Sequence, residues 1–154
     1  MNDKAPVRHI LVAHDFSDTA ECALDFALGL AEKLGARVTI VHAYEIEMYG
    51  YGESMVLTQS LLDDVARASR KALEGLVARA RARATGVDVS YELRMGSPRT
   101  EIVDFAAEAK VDLIVIGTHG RRGVPRALLG SVAESVVRSA PCPVLTVHGP
   151  PSRK

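Results

Sequence analysis

This chain of 154 residues lacks most of the devices that would stabilise or anchor it from outside its own core. Its two cysteines, Cys22 and Cys142, form no C-x-x-C pair and stand in no Cys/His spacing suited to a metal. Cys22 falls in a helical pattern and Cys142 between two prolines, so both read as packing residues. Net charge is missing as well: 19 basic residues balance 19 acidic ones, which leaves no footprint for a nucleic acid or a membrane surface. The apolar run before His14 is too short for a membrane span or for the core of a secretion signal. The expectation is a cytoplasmic protein with reduced thiols. No linker, internal repeat or low-complexity tract divides the chain, so residues 1–154 are read as one domain. At 47% hydrophobic content it can bury a core without staples. Two phosphate-binding signatures are also absent. There is no G-x-x-x-x-G-K-[ST], hence no P-loop lysine, and no G-x-G-x-x-G after the first strand, hence no dinucleotide-binding fingerprint.

What is present is an alternation. Apolar runs at 10–13, 38–43, 87–93, 113–116 and 144–147 are separated by stretches with helical spacing. Four of the runs are apolar at nearly consecutive positions, as parallel strands covered on both faces must be. Only 87–93 alternates strictly, which places it near an edge with one wetter face. The expected class is α/β, a single doubly wound domain. The first helix should start at Ser17 or Asp18, with Glu21 placed for a capping box, and end at Gly35. A second helix is expected over 60–84, burying Leu62, Val65, Ala66, Leu73, Leu76 and Val77 and turning Arg67, Arg70, Lys71, Arg79, Arg81 and Arg83 to water. No aromatics interleave that arginine series, so it reads as a solvated face. Residues 44–58 read as a loop, and the tail 149–154 as frayed. The third helix opens on Ser97 as N-cap with Pro98 at the first helical position.

One stretch carries chemistry. The fourth strand runs into Gly117-Thr118-His119-Gly120, and nine residues later Gly130-Ser131 opens another helical pattern. A helix N-terminus offers unpaired N–H groups and partial positive charge, so it favours an anion. At Gly117, Gly120 and Gly130 a Cβ would obstruct a phosphate or forbid positive φ, while the Ser131 hydroxyl adds a donor. Arg121, Arg122 and Arg126 bring mobile positive charge nearby. Three glycines at fixed spacing followed by Ser or Thr arise by chance in about one chain in a hundred of this size. The competing reading is structural: a tight strand exit, with Ser131 and Glu134 forming an ordinary capping box. A capping serine can also face a ligand, so the two are compatible.

The spacing Gly117-x-x-Gly120, nine residues, Gly130-Ser131 resembles the G-2x-G-9x-G-(S/T) pattern of the ATP-binding branch of the universal stress protein family. The resemblance extends to the stretch from Ile10 to Ser17, to Val41-His42-Ala43 and to the stretch from Ala140 to Val147, essentially the whole chain. It implies a five-stranded parallel sheet of order 3-2-1-4-5 with helices on both faces, and a crevice between strands one and four at their carboxyl ends. It assigns Ala13 and Asp15 to the nucleoside, the Ala43 backbone and Ile116 to the adenine surroundings, and Gly117, His119, Gly120, Gly130, Ser131, Val132 and Ala133 to ribose and phosphates. Ala13 departs from the proline of some members. Ala133 departs from a hydroxyl residue, leaving only its backbone N–H to offer. The cofactor implied is ATP with Mg²⁺. A homodimer through the strand 143–147 is implied too, and that strand is apolar enough to need cover at a sheet edge.

Asp15 would contact ribose hydroxyls or a metal on the phosphates, since Ser17 and Asp18 are better placed to cap the helix. His14, His42 and His119 each end a strand, but adjacent His14 and Asp15 should point to opposite faces, and no ligand set for zinc assembles. The function expected is a cytoplasmic stress-response regulator acting through nucleotide-dependent interactions with a partner protein that the sequence does not identify. The alternative is a slow ATPase or phosphotransferase. No residue stands out to orient a water or accept a hydroxyl proton, which argues against fast turnover. A phosphorylation receiver domain would need clustered acids after the first strand and an aspartate after the third, where Met95-Gly96-Ser97 stands instead.

Overall fold

A computed structural model describes residues 6–46, 54–119 and 128–150, with 54–58 described by backbone alone. In chain order the elements are β1 (His9–Ala13), α1 (Asp18–Leu34), β2 (Arg37–Tyr44), α2 (Ser54–Arg83), β3 (Val89–Met95), α3 (Pro98–Glu108), β4 (Leu113–Gly117), α4 (Ser131–Ser139) and β5 (Val144–Val147). The five strands form one parallel sheet in the order β3-β2-β1-β4-β5. This is the expected order, with the alternating strand β3 at an edge.

The pleat sorts β1 into two cores. Ile10 and Val12 face α1 and α2, packing with Leu24, Leu28, Leu73 and Leu76. Leu11 and Ala13 face the other way, with Ile102 and Ala106 of α3 and Ala133 and Val136 of α4. All five residues of β1 are buried, which is why the strand reads as an unbroken apolar run rather than an alternating one.

Helix α1 starts where Ser17, in extended conformation, accepts from the Ala20 N–H at 3.2 Å. It stops at Gly35, whose φ of 66° is the left-handed conformation that glycine adopts without a Cβ penalty. Helix α2 begins at Ser54, inside the segment expected to be loop, and its 30 residues exceed the expected span. Its arginines are not simply solvated. Arg79 reaches Glu21 of α1 at 3.5 Å, Arg83 pairs with Glu21 and Asp25, and Arg81 donates twice to the Val89 carbonyl at the free edge of β3. As exposed pairs the ionic contacts contribute about 0–1 kcal/mol each.

Two buried histidines make the fold sensitive to acid. Burial, then the neighbouring Arg37, holds His9 below the ordinary histidine value of 6.5, and burial does the same for His14. Each is neutral when folded and protonates more readily when unfolded. Their contribution is therefore complete above 6.5 and is lost as pH falls below it towards the folded values. Urea midpoints are expected to fall from about pH 7.5 to about pH 5.5, and His14→Asn is expected to flatten part of that slope. A midpoint constant over this interval would contradict the assignment.

Candidate functional site

The carboxyl ends of β1 and β4 lie side by side, with Ala13 paired to Ile116. Just beyond Ala13 the chain makes a strained turn. Phe16 has φ of 63°, a left-handed conformation that costs a non-glycine residue about 1–2 kcal/mol. Asp15 accepts the Ser17 N–H on Oδ1 at 3.0 Å, so the carboxylate also supports the turn into α1. The Phe16 ring lies against two histidines, with centroids 5.4 Å from His14 and 4.7 Å from His42. His14 is 3% exposed and packs on the α1 side, as the period of a strand requires.

The exit of β4 is held from several sides at Thr118, which is 3% exposed. Its N–H donates to the Val147 carbonyl of β5 at 2.9 Å, and its own carbonyl accepts the Gly130 N–H at 2.6 Å. Its hydroxyl meets Nδ1 of His119 at 3.0 Å and Nδ1 of His148 at 3.4 Å. Thr118 thus ties the glycine segment at both of its described ends to the last strand. Sequence reasoning passed over it because a threonine between glycines looks like filler; its only signal was its place directly after the strand.

The glycines work differently from the expectation. Neither Gly117 nor Gly130 has positive φ. At Gly117 a Cβ would lie 2.7 Å from the Thr19 methyl and 3.2 Å from its backbone, so the glycine lets the first turn of α1 rest on β4. At Gly130 a Cβ would lie 2.9 Å from the Thr118 carbonyl oxygen. Both glycines are required by close packing of the protein on itself.

Ser131 also departs from expectation. The N-cap of α4 is Gly130, at φ −60° and ψ 153°, and Ser131 is the first helical residue, exposed. Among the described residues no side chain caps this helix, and Glu134 pairs with Arg138 at 3.0 Å. A glycine took the cap position, so the serine hydroxyl was displaced by one residue. Among the described residues, the N–H groups of Ser131, Val132 and Ala133 find no acceptor. An uncapped helix start of this kind carries a partial positive charge beside Thr118 and His119.

Of the other expected site residues, Ala13, Ile116 and Ala133 are 6%, 5% and 3% exposed, their side chains committed to the core, while Ala43 is half-buried near the end of β2. Nε2 of His119 is buried and, among the described residues, has no partner. Gly120 and Arg121, like Arg122 and Arg126, lie outside the described residues. No group of three or more His, Cys, Asp or Glu side chains suited to a metal occurs among the described residues, nor does any helix long and apolar enough to cross a membrane. A surface groove of about 370 Å³ between α2 and β3, lined by Glu74, Val77, Arg81 and Tyr91, contains none of the expected site residues. Its walls offer no helix start or glycine segment, so the strand ends remain the stronger candidate.

Residues 6–148 match the model of the universal stress protein family. This chain belongs to that family. A putative universal stress protein of Staphylococcus aureus is 37% identical over 143 residues, spanning 92% of this chain and 84% of the relative. Among solved structures, a universal stress protein from Lactobacillus plantarum superposes with a TM-score of 0.82 at 28% identity, over 93% of this chain and 99% of the other. Two family structures contain nucleotides. One, from Archaeoglobus fulgidus, is in complex with dAMP (TM-score 0.64, 29% identity, covering 92% and 98% of the two chains), and the other is in complex with cAMP (TM-score 0.64, 27% identity, covering 95% and 100%).

Proposed function

We propose that this member of the universal stress protein family binds an adenine nucleotide, ATP with Mg²⁺, at the carboxyl ends of β1 and β4 and acts as a regulator whose interactions follow occupancy. The observation that carries the reading is the start of α4. Among the described residues, three consecutive backbone N–H groups are without acceptors at a helix end with no side-chain cap, and that end is bonded to Thr118 directly after β4, the strand paired with β1. Orphan donors at such a site favour phosphate oxygens.

In this reading Ser131, Val132 and Ala133 offer N–H groups to phosphates, the Ser131 hydroxyl adds one more donor, and Nε2 of His119 faces phosphate or ribose. Asp15 takes ribose hydroxyls. Ala13, Ile116 and Ala43 meet the adenine through backbone atoms, since two of their side chains are spent on the core. Gly117 and Gly130 contribute by permitting the close packing that brings these groups together. The relatives that bind dAMP and cAMP support an adenine nucleotide as the ligand class. Native mass spectrometry of protein purified without added ligand tests the class: an adenine nucleotide held near one per chain is expected, and a retained ligand of another class would contradict it.

The same reading includes a homodimer through β5. This strand ends the sheet, its residues are at most half-buried, and Val137 of the adjacent α4 is 48% exposed. An apolar edge with open backbone groups is stabilised by a second strand. Light scattering at micromolar concentration is expected to give the mass of two chains; a monomer with and without ATP would contradict the dimer.

A further inference from the structure

We infer that His14 is a positioning residue for the nucleotide site: its Nδ1 holds the Phe16 N–H and so fixes the turn that presents Asp15. The inference rests on the nucleotide reading for what Asp15 does, and on geometry alone for the turn.

Within five residues the chain must leave β1 at Ala13 and enter α1 at Asp18. It does so by placing Phe16 at φ 63°, which a phenylalanine adopts only where its surroundings impose it. The Phe16 N–H donates to Nδ1 of His14 at 3.1 Å. His14 is itself pinned at both backbone groups to β2: its N–H donates to the Val41 carbonyl at 2.9 Å, and its carbonyl accepts from Nδ1 of His42 at 2.8 Å. The imidazole is therefore a post fixed to the sheet, and the turn hangs from it. The next hydrogen bond in the series, from the Ser17 N–H to Asp15 at 3.0 Å, spans the left-handed Phe16.

The tautomer follows. Nδ1 accepts, so the proton of the neutral ring sits on Nε2, which is buried without a partner among the described residues. The charged and titratable groups around the ring are Glu21 of α1, Asp15, His42 of β2 and Arg79 of α2, and burial outweighs them in keeping the ring neutral. A leucine would fill this volume without an orphaned donor. What it would lack is an acceptor for Phe16.

Asparagine separates the two roles, because its Oδ1 stands where Nδ1 does and it carries no ring. Wild type, His14→Asn and His14→Leu are compared by Phe16 amide exchange and by titration with ATP and Mg²⁺, after circular dichroism has shown each to be folded. In wild type and His14→Asn the Phe16 amide is expected to be protected and the affinities to agree within about twofold. In His14→Leu the amide is expected to exchange about tenfold faster or more and affinity to fall on the order of tenfold. Equal Phe16 exchange in all three, or His14→Leu binding as wild type does, would overturn the inference, as would a His14→Asn as weak as His14→Leu. If none of the three binds ATP, the nucleotide reading falls, and the exchange rates still decide whether His14 sets the turn. Should His14→Leu not fold, the imidazole ¹⁵N spectrum of wild type decides: an unprotonated Nδ1 supports the post, a protonated one overturns it.

Discussion

Gly130→Val is expected to lose saturable ATP binding and to destabilise the protein at the same time. The backbone at this position, φ −60° and ψ 153°, suits any residue, so conformational strain is not the cause. Space is the cause. A Cβ would lie 2.9 Å from the Thr118 carbonyl oxygen and 3.6 Å from the His119 Cα, where the Gly130 N–H already bonds Thr118 at 2.6 Å. Overpacking of this kind costs about 1–3 kcal/mol, a fall of about 3–10 °C in Tm for a domain of this size. Relief of the clash must move the start of α4 away from β4, and with it the three N–H groups proposed to hold phosphate. Thermal melts and calorimetry on the same preparation check both effects; an unchanged Tm or an unchanged affinity would contradict the role given to this glycine.

Ser131→Pro is expected to do the reverse, weakening binding while leaving stability intact. Proline is favoured at the first helical position, and the extended Gly130 before it is the conformation a proline imposes on its predecessor. The side chain is exposed and, among the described residues, its N–H has no acceptor to lose. The substitution removes one backbone donor and one hydroxyl from the proposed phosphate site. Stability should change by less than about 1 kcal/mol, or rise slightly through the stiffer unfolded chain. Affinity for ATP should fall about tenfold or more, since charge-assisted hydrogen bonds contribute about 1.5–3 kcal/mol each. Loss of stability without loss of affinity would mean that Ser131 serves the helix and not a ligand.

These two substitutions mark where the sequence was legible. The edge position of β3, the end of α1 at Gly35 and the start of α3 at Pro98 follow from periodicity and terminal residues, which are local signals, whereas the strand order came from the family resemblance. The family resemblance placed Asp15 and Gly117 at neighbouring strand ends. The sequence did not show which atoms press on the glycines, because Thr19 and Thr118 approach them from elsewhere in the fold. Ser131 was assigned to the cap because serine is a better cap than glycine. The structure puts Gly130 there, where a side chain would collide with Thr118. The early start of α2 was hidden for a related reason: 44–58 contains two glycines and three tyrosines, a composition that reads as loop, although helix begins at Ser54. Least legible was the left-handed Phe16, a residue that local propensity would never place there.

In the proposed site the start of α4 and the end of β1 hold one nucleotide between them. Calorimetric titration of the wild-type protein with ATP and Mg²⁺, repeated on Ser131→Pro and Asp15→Asn, tests this most directly. Saturable binding of one nucleotide per chain is expected, weakened in both variants while their melting temperatures stay close to wild type. No saturable binding at millimolar ATP, or binding that both variants leave unchanged, would contradict it.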